Sequence, residues 1–151
     1  MGVVIRDAQE RDIERLVELY GQLGPSGDAP EPGNRQQSLE ALAKIKAHEG
    51  VRLLVLEADE RVEGSVVLVI VPNLTHGGRP WAVIEHMVID ESRRGTGMGR
   101  LLLRRVEEIV VEAGCYKLQF LSAWRRKDDA HHFYEAMGYE SPARGFRKFF
   151  Q

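Results

Sequence analysis

One stretch constrains the fold more than any other, because it places three alternating glycines between a predicted strand and a predicted helix. Residues 82–89 read Ala-Val-Ile-Glu-His-Met-Val-Ile, and residues 93–100 read Arg-Arg-Gly-Thr-Gly-Met-Gly-Arg, followed by an apolar helical pattern from Leu101. Glycines at such a junction let backbone N–H groups approach a ligand, and the helix N-terminus adds partial positive charge. The stretch therefore predicts a cradle for a phosphorylated ligand and an enzyme with a nucleotide-like cofactor.

The composition is that of a soluble globular protein. The chain has 151 residues, of which 43% are hydrophobic and 29% are charged, so we expect a single domain over residues 1–151. A net charge of -2 argues against general nucleic-acid binding. No apolar run approaches the ~20 residues that span a bilayer, and the N-terminus lacks the layout of a secretory signal. With Cys115 as the single cysteine, a cytoplasmic protein without a membrane partner is expected.

Strand and helix patterns alternate along the chain. Strands are predicted at 3–5, 51–57, 62–71, 81–89, 116–121 and 146–150, and helices at 13–23, around 39–45, from 101 to 113, and at 129–137. Asp7 is the predicted N-cap of the first helix, with Glu10 completing a capping box. The Gly- and Pro-rich segment 24–33 is predicted to be a loop, and its length is typical of a lid or a mobile binding loop. These elements predict an α/β domain with a mixed sheet, in which the glycine loop joins a central strand to its crossover helix.

The glycine loop fits some ligand classes better than others. It lacks Gly-Lys-Ser/Thr, so a nucleoside-triphosphate P-loop is not supported. A dinucleotide fold expects its glycines after the first strand, whereas these lie late in the chain. The alternative without function is a glycine-rich turn with a solvated basic rim.

Several segments together resemble a known family. Residues 94–99, Arg-Gly-Thr-Gly-Met-Gly, resemble the Arg/Gln-x-x-Gly-x-Gly/Ala motif of the GNAT acetyltransferase superfamily, and residues 130–139 resemble its late Ala-x-x-Phe-Tyr-Glu-x-x-Gly-Phe segment. The resemblance implies the GNAT fold, a mostly antiparallel sheet with splayed central strands flanked by helices. It also implies acetyl transfer from acetyl-CoA to a primary amine, by direct attack in a ternary complex.

The same resemblance implies a cofactor site. Backbone N–H groups of the glycine loop would bind the pyrophosphate, and the end of the preceding strand would lie beside the pantetheine arm. The residues implied are Met87, Val88, Ile89, Arg94, Gly95, Thr96, Gly97, Met98, Gly99 and Arg100. Arg93, Arg94 and Arg100 would screen the phosphates, or any one of them could equally be a solvated surface charge.

Two residues are candidates for proton transfer. Tyr134 matches the family tyrosine that can protonate the sulfur of CoA, and its alternative role is an aromatic side chain that covers the core. Glu85 lies among apolar strand residues and could accept the proton of the amine, or it could be a solvated strand glutamate. His86 is expected on the opposite face of the strand from Glu85, where a satisfied polar residue is favoured over a proton acceptor.

The remaining polar residues carry weaker hypotheses. His131 and His132 are neighbours that do not face one way on a helix, so no metal site is expected. Cys115 is expected to be a small buried residue, which disfavours acyl-cysteine chemistry. Arg125, Arg126 and Lys127 could meet a CoA phosphate or an acidic acceptor, although a solvated turn is favoured.

Two segments resemble one branch of the superfamily, the glucosamine-6-phosphate N-acetyltransferases. Residues 84–89 resemble its Val-Glu-Asp-Val-Val-Val strand, and residues 115–117, Cys-Tyr-Lys, resemble the opening of its next strand. His86 departs from the branch because it replaces an acidic residue, and Lys127 stands where many members have asparagine. A small-molecule amine is therefore the expected acceptor. A protein or peptide acceptor and a non-catalytic acetyl-CoA sensor are the alternatives, and a homodimer sharing a late strand is compatible with the C-terminal phenylalanines.

Overall fold

The computed structural model describes residues 2–23, 31, 33–122 and 130–150. Its strands are β1 (Val3–Asp7), β2 (Val51–Ala58), β3 (Arg61–Val71), β4 (Trp81–Ile89) and β5 (Leu118–Gln119). Its helices are α1 (Ile13–Gly21), α2 (Arg35–Ala47), α3 (Met98–Glu112) and α4 (His132–Ala136), with short 3₁₀ turns at Glu10–Asp12, His76–Gly78 and Glu91–Arg93.

The five strands form one sheet in the order β1-β2-β3-β4-β5. The pairs β1–β2, β2–β3 and β3–β4 are antiparallel, and β4–β5 is parallel. The β2–β3 hairpin turns through Asp59 and Glu60, whose φ angles of 52° and 63° match the twist that a two-residue hairpin needs. The prediction of a mixed, mostly antiparallel sheet flanked by helices is confirmed.

The two faces of the sheet are covered by different helices. On one face, residues of α1 and α2 form a buried cluster with alternate residues of the sheet, among them Leu53, Val55 and Val88. The intervening side chains, such as Leu54 and Leu68, are also buried, and they face the opposite side because side chains alternate along a strand. Helix α3 contacts β3 and β4 and buries one side chain stripe, namely Leu102, Leu103, Val106, Ile109 and Val110.

The approach to α1 differs from the prediction. Asp7 is the last residue of β1, and its carboxylate pairs with Arg52 at 2.8 and 3.0 Å. The turn before α1 is instead fixed by Gln9, whose N–H donates to Asp12 Oδ2 at 2.8 Å. The prediction of Asp7 as the cap was wrong because β1 continues through Asp7. The capping box forms two residues later, between Gln9 and Asp12, which have the same spacing as Asp7 and Glu10.

The described residues divide into two compact units, Met1–Gln119 and Phe120–Gln151. The first unit contains the sheet and helices α1 to α3. The second contains α4, which ends at Ala136, two residues before Gly138, whose φ of 92° lies in the left-handed region. Within the second unit the rings of Phe120, Tyr134 and Tyr139 are in contact, with centroids 4.5 Å apart for the first pair.

Two strand predictions in the last third of the chain were wrong. The strand expected at 116–121 contains only Leu118–Gln119, and residues 139–150 contain no strand within the described part of the chain. The side chains of Phe146, Phe149 and Phe150 are instead 91%, 60% and 84% exposed. β-branched and aromatic residues favour a strand, but a strand forms only where a neighbour accepts its backbone hydrogen bonds, which local sequence does not encode.

Candidate active site

The glycine loop leads directly into the first turn of α3. Gly95 and Gly97 have φ angles of 76° and 88°, in the left-handed region that favours glycine. Helix α3 then begins at Met98, with Leu101 N–H as the donor to the carbonyl of Gly97 at 3.1 Å. The N–H groups of a helix's first turn have no acceptor within the helix, so this turn presents donors at the positive end of the helix dipole.

The loop leaves open space where its glycines lack side chains. A Cβ built at Gly95 or Gly97 would meet no heavy atom within 4 Å. Packing within the protein therefore does not require glycine at either position, although the backbone conformation does. The combination of open space and first-turn N–H donors fits a phosphate-bearing ligand such as acetyl-CoA.

The three arginines of the loop have different surroundings. Arg93 lies 3.3 Å from Asp59 and 3.5 Å from Glu63, so its charge is balanced within the protein. Arg94 is exposed, with its Nε 3.4 Å from the carbonyl oxygen of Ile89, and Arg100 is exposed at the start of α3. Arg94 and Arg100 are therefore accessible to a ligand, whereas Arg93 forms ion pairs within the protein.

Strands β4 and β5 are paired at two positions within the described residues. Their ladder, within the described residues, consists of Ala82 paired with Leu118 and Val83 paired with Gln119. β4 continues for six more residues, from Ile84 to Ile89, while its other edge stays paired with β3. The edge of β4 that faces β5 thus passes beyond β5 immediately before the chain enters the glycine loop.

A bulge interrupts β4 in that segment. Glu85 pairs with Val67 and Val88 pairs with Ser65, so two residues, His86 and Met87, stand opposite one residue of β3. His86 has a φ of 49°, which is unusual for a residue other than glycine. Such strain persists where surrounding structure holds it, and it is frequent at functional sites.

The bulge places His86 on the same side of the sheet as Glu85, contrary to the prediction. Glu85 pairs with Val67, which packs against the cluster formed with α1 and α2. The ring of His86 lies on that side too, with its centroid 5.9 Å from the ring of Tyr20 in α1. The prediction assumed strict alternation, which the extra residue of a bulge interrupts. Both Glu85 and His86 are exposed.

Asp90, the residue after β4, is a buried carboxylate that sequence reasoning missed. Asp90 is 5% exposed and accepts hydrogen bonds from Ser92 Oγ at 2.6 Å and from Arg15 Nη2 at 2.5 Å. The Ser92 hydroxyl, the Arg15 guanidinium and the Ser92 N–H hold the pKa of Asp90 well below its usual range. A carboxylate directly after a buried strand and two residues before a serine is a turn signal that could have identified it.

Arg15 connects α1 to β3 and to Asp90, the residue after β4. Its guanidinium also donates to the carbonyl of Val62 at 2.8 Å and to Glu63 at 3.2 Å. Glu63 is 1% exposed and lies near the start of β3. The helical pattern of α1 predicted that one apolar face is buried, as Ile13 and Leu16 are, but it gave no indication of an ion cluster beside that face.

Tyr134 lies in α4, in the second unit. Its ring contacts those of Phe120, Phe133 and Tyr139, so it is packed among aromatic residues and half-buried. The ring contacts agree with the structural alternative for this residue, and they leave its catalytic role a prediction.

Other candidates from the sequence have simpler surroundings. Cys115 is a buried free cysteine, and burial raises the pKa of its thiol, which makes the nucleophilic thiolate less accessible. His131 Nε2 lies 3.1 Å from Ser122 Oγ, and His132 is exposed. Arg125, Arg126, Lys127 and most of the 24–33 loop lie outside the described residues.

The described residues contain neither a cluster of metal ligands nor a membrane-spanning helix. No group of three or more His, Cys, Asp or Glu side chains is arranged to hold a metal ion in that part of the chain. Among the helices that the structure describes, none is long and apolar enough to cross a membrane.

The fold and the loop define a class, the acyl-CoA-dependent acyltransferases, and comparison with known proteins identifies the family. The model of the Acetyltransferase (GNAT) family matches residues 4–139. The chain belongs to the GNAT family and is an acetyl-CoA-dependent N-acetyltransferase.

Individual proteins resemble the chain over nearly its whole length. Glucosamine 6-phosphate N-acetyltransferase of Trypanosoma brucei brucei is 31% identical over 145 residues, which cover 95% of this chain and 92% of that protein. A solved structure of a putative acetyltransferase from Agrobacterium tumefaciens is 35% identical, with a TM-score of 0.86 and coverage of 97% and 99% of the two chains. A structure described as a transcriptional regulator from Bacillus halodurans is 27% identical, with a TM-score of 0.90 and coverage of 99% and 100%.

Proposed function

We propose that this enzyme acetylates the primary amine of a small phosphorylated amino sugar, with glucosamine 6-phosphate as the first candidate. The observation that carries the acetyl-CoA site of this proposal is the course of β4, which extends past β5 after Val83, bulges at His86 and ends at the open glycine loop. The extended arm of a ligand could lie along the edge of β4, and its pyrophosphate could bind at the glycine loop that follows.

The proposed placement of acetyl-CoA follows that path. The pyrophosphate accepts hydrogen bonds from N–H groups between Gly95 and Arg100, and Arg94 and Arg100 add positive charge. The pantetheine arm lies beside Met87, Val88 and Ile89. Support comes from the left-handed glycines, the open space beside them and the exposure of the two arginines.

The proposed reaction is a direct attack in a ternary complex. The neutral amine of the acceptor attacks the thioester carbonyl, so that a C–N bond forms and the C–S bond breaks. Glu85 accepts the proton released from the amine, directly or through water, and Tyr134 supplies a proton to the departing sulfur. Backbone N–H groups at the β4 bulge would stabilise the developing oxyanion. Exposure of Glu85 on the α1 side of the sheet supports its role.

The proposed acceptor rests on the relatives. Curated proteins from Trypanosoma brucei brucei and Drosophila melanogaster match the chain at 31% and 29% identity; the first is named glucosamine 6-phosphate N-acetyltransferase and the second probable glucosamine 6-phosphate N-acetyltransferase. His86, where that branch has an acidic residue, shares the exposed α1 side with Glu85 and would face the acceptor.

The proposal extends to the whole chain. We treat residues 1–151 as a single acetyltransferase domain, supported by a family match that spans both compact units. We further propose a homodimer in which the C-terminal segment with Phe146, Phe149 and Phe150 contacts a second copy, supported by the exposure of these side chains. A cytoplasmic location, without nucleic-acid or membrane partners, stays a prediction.

An amine panel tests the acceptor. Release of the CoA thiol would be measured with glucosamine 6-phosphate, glucosamine, a polyamine and a lysine-containing peptide at equal concentration. We expect the highest kcat/KM for glucosamine 6-phosphate, with glucosamine as the matched control that lacks only the phosphate. A higher kcat/KM for the peptide would replace the proposal with a protein acceptor, and equal values for the two sugars would remove the phosphate from it.

A further inference from the structure

The end of α1 is hydrogen-bonded to the chain that leads into the glycine loop. Gln22, the residue after α1, accepts at its Oε1 a hydrogen bond from the N–H of Glu91 at 2.8 Å. Its Nε2 donates to Asp90 Oδ2 at 3.3 Å. The two arms of one neutral amide thus hold both the buried carboxylate and the first residue of the following 3₁₀ turn.

The segment from Asp90 to Thr96 is ordered by hydrogen bonds within it, and Ser92 donates from both its N–H and its Oγ to the Asp90 carboxylate. Arg93 N–H donates to the carbonyl of Asp90 at 2.8 Å, and the Thr96 hydroxyl donates to the carbonyl of Arg93. Asp90 is fixed on its other side by Arg15, within the ion cluster that includes Glu63. A displacement of the Glu91 backbone would therefore be transmitted along this turn to Gly95, four residues further on.

We propose that Gln22 is a positioning residue for the cofactor loop, holding the turn at Glu91 so that the N–H groups from Gly95 onward are aligned before acetyl-CoA binds. The inference rests on the proposed assignment of that loop as the pyrophosphate site. A loop ordered in advance loses less conformational entropy on binding, and this raises affinity without any contact between Gln22 and the ligand.

Gln22 is separable from the rest of the cluster. Glu63 and Asp90 are buried carboxylates that share the half-buried Arg15, so a change at any of the three alters the charge balance of a buried ion cluster, with a large effect on folding. Gln22 is neutral and half-buried, so its loss removes two hydrogen bonds and no charge. The expected effect is therefore on the loop rather than on the fold.

The test compares two glutamine-to-methionine variants. Gln22→Met keeps the length of the side chain and removes both hydrogen bonds to the loop. Gln36→Met is the matched control, because Gln36 on α2 bonds only an exposed carboxylate, Glu40, at 2.9 Å. Titration calorimetry with CoA should give a Kd about fivefold to tenfold higher for Gln22→Met than for the wild type, and an unchanged Kd for Gln36→Met. In steady-state assays the loss should appear in KM for acetyl-CoA, with little change in kcat.

Each outcome decides the inference. A Kd for CoA equal to that of the wild type would overturn it, as would a loss confined to kcat, or an equal rise in Kd for the Gln36→Met control. The calorimetric readout needs no acceptor, so it stays informative if no amine in the panel is acetylated. Failure of the proposed acceptor is thereby distinguished from failure of the role of Gln22.

Discussion

At the scale of single residues, Gly97 combines a backbone conformation with an open space, and mutation separates the two. Gly97 and Gly114 stand at opposite ends of α3 with φ angles of 88° and 76°, and a Cβ at either would meet no heavy atom within 4 Å. Alanine at either position would be strained by about 1–2 kcal/mol. Only the Cβ at Gly97 would enter the space that we assign to the pyrophosphate.

We therefore expect Gly97→Ala to weaken CoA binding by about tenfold to a hundredfold, through loss of one or two charge-assisted hydrogen bonds. Gly114→Ala should lower the free energy of unfolding by the same strain of about 1–2 kcal/mol as Gly97→Ala, and it should leave the Kd for CoA unchanged. Calorimetry with CoA and urea unfolding of both variants check this. Equal Kd values for the two variants would show that the loop does not approach the ligand.

Tyr134 offers a second residue-scale prediction. Tyr134→Phe keeps the ring and its contact with Phe120 at 4.5 Å while removing the hydroxyl. If the hydroxyl protonates the sulfur, kcat should fall by about a hundredfold or more with KM for acetyl-CoA unchanged. Tyr139→Phe, in the same aromatic cluster, is the control and should keep the kcat of the wild type. A wild-type kcat for Tyr134→Phe would leave this side chain with a packing role alone.

At the scale of elements, the ion cluster of α1, β3 and Asp90 gives a pH-dependent contribution to stability. The pKa of Asp90 lies below the ordinary value of about 3.9 because Ser92 and Arg15 donate to its carboxylate. Folding therefore favours the ionised form. The resulting stability is fully present above the ordinary pKa and is lost as the pH falls through the lower pKa of the folded state.

Asp90→Asn should consequently lower the free energy of unfolding at pH 7 by about 3 kcal/mol, because Arg15 and Ser92 lose the charged acceptor of their hydrogen bonds in the buried cluster. The difference from the wild type should narrow as the pH falls below about 4. Asp59→Asn is the control, because Asp59 is exposed and pairs with Arg93 at 3.3 Å on the surface. It should lower the free energy of unfolding by no more than about 1 kcal/mol. Urea unfolding across this pH range is the measurement, and a difference that is constant with pH would contradict the account.

The elements also show what the sequence could and could not predict. The bounds of β4 and the glycine loop follow from local pattern, because a largely apolar run with β-branched residues ends before a stretch with glycines at alternate positions. The bulge at His86 does not, since an extra residue in one strand is defined by its register with β3. Two partners of Asp90, Gln22 and Arg15, lie 68 and 75 positions away along the chain, next to and in α1, so no local pattern indicates them.

At the scale of the whole molecule, the C-terminal phenylalanines lead to a prediction about assembly. Phe146 and Phe150 are 91% and 84% exposed, which is costly for large apolar side chains in water. If they contact a second copy, sedimentation should show a dimer for the wild type and a monomer for the Phe146→Ser/Phe150→Ser variant. Val111→Ser, at a side chain 75% exposed on α3, is the control and should stay dimeric. A monomeric wild type would contradict the assignment.

The central claim is that the path from the β4 bulge to the glycine loop binds acetyl-CoA, and a crystal structure of the complex with CoA tests it most directly. We predict pyrophosphate oxygens about 3 Å from N–H groups between Gly95 and Arg100, with the pantetheine arm beside Met87, Val88 and Ile89. A complex in which the pyrophosphate lies away from these N–H groups, with Gly95 and Gly97 free of contact, would contradict the account.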